Sequence, residues 1–308
     1  MSNRLQSIST NPTLREYAQG AAKANIQPVA DFLAPSVEVA TTTGKYKLYS
    51  EKNRFRIPQT ARAIGGQATR ITLDATYNCS PHALEHPVDD LEKLESEQLE
   101  SAIQEGADLV SEAAALTHEH SVITAALETV GSGTDYNFTD NAFDPVALLD
   151  IEILRLIKQA NYGSKMGIGV LFGTTAWMRT KNNLLVRSQF PVGTRKKSRA
   201  PTLEEFNLLL LGEVESQVSY MVMDQAPEGL DANYEFLLDE AILIFLRRSS
   251  PSRRDPSFMK TFRLRGQWMK PISYRDERAR SDVVGFDWTE DVQVTNTAGA
   301  VRINAKNA

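Results

Sequence analysis

The chain has 308 residues, a formal net charge of -5 and 42% hydrophobic residues, enough apolar material for a sizeable core in one elaborate domain or two. No apolar run is long enough to cross a bilayer, and the N-terminus MSNRLQSISTNPTLREYAQG lacks an apolar signal core, so the expectation is a chain that stays in the cytoplasm where it is made, with the sequons at Asn78 and Asn137 unused. The lone Cys79 excludes an internal disulfide framework and a cysteine zinc site, and the acidic balance argues against bulk electrostatic capture of nucleic acid.

Residues 1–31 read as a polar arm with one helical stretch, Leu14 to Ala24, ended by Pro28; such arms are ordered by contact with a neighbour. From Phe32 to about Cys79 the chain alternates apolar and polar residues in short runs, Tyr46 to Tyr49, Arg54 to Ile57 and Thr69 to Leu73, with turns expected around Gly44 and Gly65-Gly66. This predicts a long two-stranded excursion. It is rich in Thr, Tyr, Lys and Arg and has few large aliphatics, so it cannot bury a core of its own and is built to lie on something else.

Asp89, with Glu92 three residues on, supplies a capping-box start for a helix running to Val130. Its apolar positions Leu91, Leu94, Leu99, Ile103, Val110, Ala114, Ile123 and Leu127 hold helical spacing. Gly106 is expected to bend or interrupt this helix, and Gly131-Ser132-Gly133 closes it. Asp144-Pro145 then opens an amphipathic helix, GIGVLF from Gly167 to Phe172 reads as a buried strand, and further helices are expected over Thr175–Val186 and Thr202–Gly212. Strands follow over Gln217–Met223 and Ala241–Leu246, making a compact α/β unit, and β-prone runs resume from Arg263.

Charge is segregated. Between Glu85 and Glu112 acidic residues dominate, including Glu92, Glu95, Glu97, Glu100 and Glu105. Between Arg247 and Arg280 the balance is basic, with Arg253, Arg254, Arg263 and Arg265 among nine cations set against Asp255, Asp276 and Glu277. These are either two solvated faces or complementary patches through which identical copies associate head to tail.

No constellation for catalysis emerges. GSKMGIG is not a Walker motif and reads as a turn entering a strand. His118 and His120, two apart on a helix, point to different faces and read as solvated. His82 and His86 flank Pro87, where no regular helix holds them together, and neither a serine nor Cys79 sits in a nucleophile motif. The acidic pairs Asp89-Asp90 and Glu95-Glu97 are accounted for by a helix N-terminus. No enzymatic activity, metal or cofactor is expected.

The order of parts resembles a known family. A polar arm, a loop containing RIPQTARAIGGQA, the passage YNCSPHALEHPVDD, a long acidic helix, an α/β block, the segment DPSFMKTF and a β-rich tail ending in AGAVRI together resemble the major capsid protein of tailed bacteriophages, with the Hong Kong 97-type shell fold. The resemblance implies an α+β chain with an N-terminal arm over residues 1–36, an extended loop over 37–80 and a peripheral domain with its spine helix over 81–143. An axial domain over 144–250 and a return to the peripheral domain over 251–308 complete it.

It also implies self-assembly, as hexamers and pentamers, into an icosahedral shell around double-stranded DNA in a virion put together in the host cytoplasm. A portal and a separate scaffolding or decoration protein are the implied partners, with packaged DNA a non-specific interior neighbour and no membrane. With about thirty residues before Phe32, a large built-in scaffolding segment is not expected. The residues expected at assembly contacts are Arg54, Phe55, Arg56, Ile57, Gly65 and Gly66 in the loop, Glu97, Glu100 and Glu105 on the helix, and Arg253, Arg254, Arg263 and Arg265 in the tail. Some relatives cross-link a lysine to an asparagine; nothing in the spacing of Lys45, Lys47, Lys52, Asn296 and Asn304 singles out such a pair. The alternatives are an encapsulin-like compartment and an enzyme built on the α/β block, the latter lacking a convergent polar constellation.

Overall fold

The computed structural model describes residues 29–50, 73–91, 99–160, 167–192, 197–212, 214–226, 231–248 and 250–307. Helix α1 (Ala30–Leu33) leads into β1 (Ser36–Val39), β2 (Thr43–Leu48), β3 (Leu73–Asn78) and β4 (Ser80–Asp89), and these are followed by the long helix α2 (Leu99–Val130). Then come β5 (Thr134–Asn137), α3 (Pro145–Ala160), β6 (Gly167–Phe172), α4 (Thr174–Asn182), α5 (Leu184–Ser188), β7 (Pro191–Val192) and β8 (Lys197–Ser198). Helix α6 (Leu203–Asn207) precedes β9 (Val214–Val218), β10 (Val222–Asp224), β11 (Tyr234–Phe236) and β12 (Ala241–Arg247). The chain ends through β13 (Met259–Leu264), β14 (Lys270–Asp276), β15 (Ser281–Val294) and β16 (Ala300–Lys306).

Two five-stranded sheets carry the architecture. In the first, β15 is long enough to take β13 and β14 one after the other along one side while β4 takes the other, so that Glu290 pairs with both Arg263 and Ser80, and β1 adds in parallel to β13. The second has the order β5-β16-β12-β6-β9. Its central strand β12 reads AILIFLR and is covered on both faces, which explains its unbroken apolar run. Ile242, Ile244 and Leu246 join Leu149 and Ile153 of α3 in one core, and Leu243 and Phe245 join Val122 and Ile123 of α2 in another.

Helix α2 spans both sheets. Ala107, Val110 and Ala114 pack on Val284, Phe286 and Trp288 of β15, and its second half meets the core beneath β12. At 32 residues it is about 48 Å long, and Gly106 lies within it without interrupting it. A Cβ at Gly106 would lie 3.1 Å from His86 and 3.3 Å from Val88; the glycine lets helix and β4 approach. Asp89 ends β4, and its Oδ1 accepts from the N–H of Leu91, whereas the expected capping partner Glu92 lies outside the described residues.

Other expectations meet mixed outcomes. Asp144 caps α3 by accepting from the N–H groups of Val146 and Ala147, and Pro145 is its first residue. The helix expected over Thr175–Val186 is broken at Asn183, whose amide donates to the carbonyls of Phe138 and Phe143 while its Oδ1 caps α5. The strand expected over Gln217–Met223 is two, β9 and β10, and the helix expected to reach Gly212 ends at Asn207. Gly44 is no turn: it lies in β2, where a Cβ would run into the Tyr77 ring. The tail does not return whole to the first sheet. Its last strand β16 pairs with β12 and β5 in the second, because its alternating Val301, Ile303 and Ala305 complete the core over α3.

Candidate functional site

The base of the extended loop is pinned to the first sheet. Tyr77 stacks on Phe262 with ring centroids 4.7 Å apart, and Tyr46 lies against the same ring at 5.2 Å. The Cys79 thiol donates to the carbonyl of Phe262 at 3.4 Å, and burial first, with the nearby carboxylates of Asp291 and Glu290, pushes this thiol up to about 11. Buried and with its thiol raised, Cys79 is inert. On the outgoing strand Lys47 N–H donates to Arg253 O at 3.2 Å, Tyr49 N–H to Thr295 O at 2.8 Å, and the Tyr49 hydroxyl to Arg254 O. On the returning strand Asn78 N–H donates to Asp291 at 2.7 Å. Both strands are thus held by one aromatic and hydrogen-bonded socket on the first sheet.

A second cluster locks the arm, spine and sheet together. His118, expected to be solvated, is buried on α2, with Nδ1 2.9 Å from Glu290 and Nε2 3.0 Å from the Arg263 guanidinium. A guanidinium only donates, so Nε2 accepts and Nδ1–H donates to Glu290. Arg263 also pairs with Glu290 at 3.3 Å and Asp31 at 3.4 Å, and lies 3.6 Å over the Trp268 ring. Burial opposes the charge on Glu290, yet the His118 and Arg263 interactions hold its carboxyl below the usual range. Next door, buried Glu119 accepts the Ala30 N–H at 2.8 and 2.9 Å. Burial raises its carboxyl to about 7 despite that bond. The end of the arm is therefore held by its own chain: Val29, Ala30, Phe32 and Leu33 are core residues.

The DPSFMKTF segment forms a third buried knot. Asp255 accepts from Ser257 N–H at 3.0 Å and faces the Lys260 ammonium at 3.2 Å, both side chains fully buried. Although burial opposes it, Lys260 and the serine donors hold the Asp255 carboxyl low, and burial pushes Lys260 down.

The expected assembly residues divide accordingly. Arg54, Phe55, Arg56, Ile57, Gly65, Gly66 and Glu97 lie outside the described residues, and for Glu100 only the helical backbone is described. Glu105 is exposed on α2, and Arg253 and Arg254 are exposed at the loop socket. Arg265 is exposed beside Glu38 at 3.4 Å. Arg263 is 8% exposed, and Asp31, His118 and Glu290 are its partners within the chain. The charge segregation is also partly consumed within the chain, where Arg275 grips Asp90 through both guanidinium nitrogens, one at 2.6 Å. Among the described residues no group of His, Cys, Asp and Glu is placed to hold a metal ion, and no helix is long and apolar enough to cross a membrane.

No family model and no curated protein matches this sequence. Solved structures do match over nearly the whole chain. A phage-related protein from Bordetella bronchiseptica is similar at a TM-score of 0.71 and 16% identity, covering 97% of this chain and 98% of that one. The capsid structure of the cyanophage P-SCSP1u gives 0.53 at 11% identity, covering 90% and 87%. An encapsulin complex from Synechococcus elongatus gives 0.54 at 14% identity, covering 90% and 86%. The chain has the Hong Kong 97-type capsid fold. In this shell fold α2 is the spine, β2 and β3 are the root of the extended loop, and the sheet holding β6 and β12 lies at the far end of the spine from β4.

Proposed function

We propose that this chain is a major capsid protein, the structural subunit that self-assembles into the icosahedral shell around the double-stranded DNA of a tailed bacteriophage. The observation that carries the reading is the socket formed by Phe262, Tyr46, Tyr77 and Tyr49, which holds the two strands flanking a stretch whose own composition cannot form a core. Such a segment becomes ordered by lying across an adjacent subunit, so its favourable burial arises only in the assembly. Assembly rather than catalysis is the proposed activity. Hexamers and pentamers of the chain, a portal, and a separate scaffolding or decoration protein complete the particle, which is built in the host cytoplasm.

The acidic net charge of -5 suits a shell that must release its genome, because a strongly basic lining would hold DNA through many phosphate contacts. A second reading, an encapsulin-like compartment with protein cargo, is favoured by the similarity to the Synechococcus complex. Negative-stain microscopy of the purified protein, followed by nucleic-acid and protein analysis of particle contents, tests both. Closed shells carrying DNA from infected cells support the capsid, shells carrying an enzyme support the compartment, and a homogeneous monomer with scaffolding protein supplied overturns both.

A further inference from the structure

The described strands place three passages of the chain between the two five-stranded sheets: α2, the segment between β12 and β13, and the segment between β15 and β16. The last two are knotted together where they cross. The N–H groups of Thr295 and Asn296 both donate to Phe258 O, at 2.8 and 3.0 Å, and the Asn296 amide donates to Pro256 O at 2.9 Å. Leu246 N–H of β12 donates to Gly299 O at 2.8 Å, and Phe258 N–H donates to Leu246 O at 2.9 Å. Thr295 and Asn296 are buried, as is Asp255 with its Lys260 partner. Buried bonds of this kind are expensive to break, so the junction between the sheets is stiff.

The root of the extended loop is tied into this junction by one residue. Tyr49, 5% exposed, follows the last residue of β2 and bridges to Asn296. Its N–H donates to Thr295 O at 2.8 Å and its carbonyl accepts from Thr297 N–H at 3.2 Å. Its hydroxyl donates to Arg254 O in the other passage, and two residues earlier Lys47 N–H donates to Arg253 O at 3.2 Å. The returning strand β3 is held differently, by the Tyr77 stack on Phe262 and by Asn78 N–H on Asp291, both in the first sheet. A change in the angle between the sheets therefore moves Tyr49 relative to Tyr77 and shears the β2–β3 ribbon, and a clamp on the ribbon resists that change.

We propose that Tyr49 is a coupling pin: whatever grips the extended loop also fixes the angle between the two sheets, and a change in that angle is felt at the loop. In the shell-subunit reading, on which the biological role rests, the gripping molecule is a second copy of the chain, so a contact made through the loop stiffens the subunit that makes it. The test imitates the grip. Lys45 and Thr76 are exposed and directly opposed on β2 and β3, and Lys45→Cys with Thr76→Cys staples the ribbon when oxidised; buried Cys79 stays out of the reaction. Hydrogen exchange is read on unassembled full-length subunits, in the peptides carrying the Leu246 and Phe258 amides, whose hydrogen bonds do not involve Tyr49. The reduced form of the same variant is the reference, so any disturbance by the cysteines themselves is seen before oxidation. Oxidation is expected to slow these amides about fivefold, the lower end of coupling between linked sites. Tyr49→Phe, which removes only the hydroxyl bond to Arg254 O, is expected to abolish most of that slowing. No slowing on oxidation, or equal slowing in the Tyr49→Phe background, overturns the pin. Either failure leaves wild-type shell assembly untouched, whereas a wild type that forms no shells under the microscope sinks the capsid reading and leaves the pin.

Discussion

Tyr77 and Phe262 lie face to face, 4.7 Å between ring centroids and 18° between planes, and both are fully buried. One belongs to the strand returning from the extended loop and the other to β13, 183 residues beyond the thiol of Cys79 that donates to its carbonyl. The stack converts a strand of the core into the foundation of the loop. Phe262→Ala is expected to lower subunit stability by about 3–5 kcal/mol, the usual cost of emptying a buried aromatic site. Tyr77→Phe keeps the stack and loses only a long hydroxyl contact to Thr41 at 3.4 Å. Urea unfolding of the two variants side by side checks the contrast, and equal losses would mean that the ring stack is not what anchors the loop.

The proposed role of the loop predicts a difference in proteolysis. Residues Arg54 to Arg70, outside the described part of the chain, are expected to be cut readily in unassembled subunits and protected in shells. Mass spectrometry of the fragments locates the cut. Equal rates in both states would remove the loop from the list of assembly elements.

Collective charge on the spine is the next quantity to test. Glu97→Lys, Glu100→Lys and Glu105→Lys together are expected to reduce shell yield, although one exposed pair alone is worth only about 0–1 kcal/mol. The pair Arg275–Asp90 is satisfied within the chain, so reversing Asp90 is expected to affect the subunit rather than the assembly. Wild-type particle yields from the triple reversal, measured by sedimentation, would assign those glutamates to a solvated face.

Local signals reported local structure well. The Asp144-Pro145 cap and the apolar runs GIGVLF and AILIFL became α3, β6 and β12, because a cap, a proline at the first helical position and a doubly covered strand are short-range requirements. The destination of β16 was not legible, since pairing with β12 is a choice among distant strands. Burial of His118 was legible and was passed over. Val110, Ala114, His118 and Val122 recur every four residues and are all buried, so the histidine stands in the apolar stripe of α2. Burial of Arg263 was not legible, since MKTFRL carries Lys260, Thr261 and Arg263 among its apolar residues and only the packing around β13 covers both faces.

Stability should fall as pH rises through neutrality on account of Glu119. Its carboxyl is raised to about 7 from an ordinary 4.5 by burial, so the folded subunit binds a proton more tightly than the unfolded chain does. The stabilisation is complete below about pH 4.5 and is lost as pH climbs through about 7, a swing on the order of 3 kcal/mol. Glu119→Gln keeps an acceptor for the Ala30 N–H and removes the titration. Thermal melts from pH 5 to 8 are expected to show a flatter profile for the variant, and parallel profiles would exclude Glu119 as the source.

The remaining question is whether covalent links reinforce the shell. Asn296 is buried, with its amide donating to Pro256 O at 2.9 Å and its oxygen accepting from Ala298 N–H. Asn304 is committed to Ser132 and Asp135 at 2.8 and 2.6 Å, and Lys47 pairs with Asp74 across the loop ribbon. An isopeptide needs a lysine amine free to attack an asparagine amide, so these engagements set both asparagines and Lys47 against that chemistry, and the buried Cys79 with its raised thiol does not serve as a bridge. Ordinary contacts summed over many subunits are the expected glue. Mature particles boiled in detergent should release one band at the 34.2 kDa of the single chain. A ladder that survives both boiling and reductant would require a lysine and an asparagine to meet across subunits, with Lys45 and Lys52 the first positions to replace.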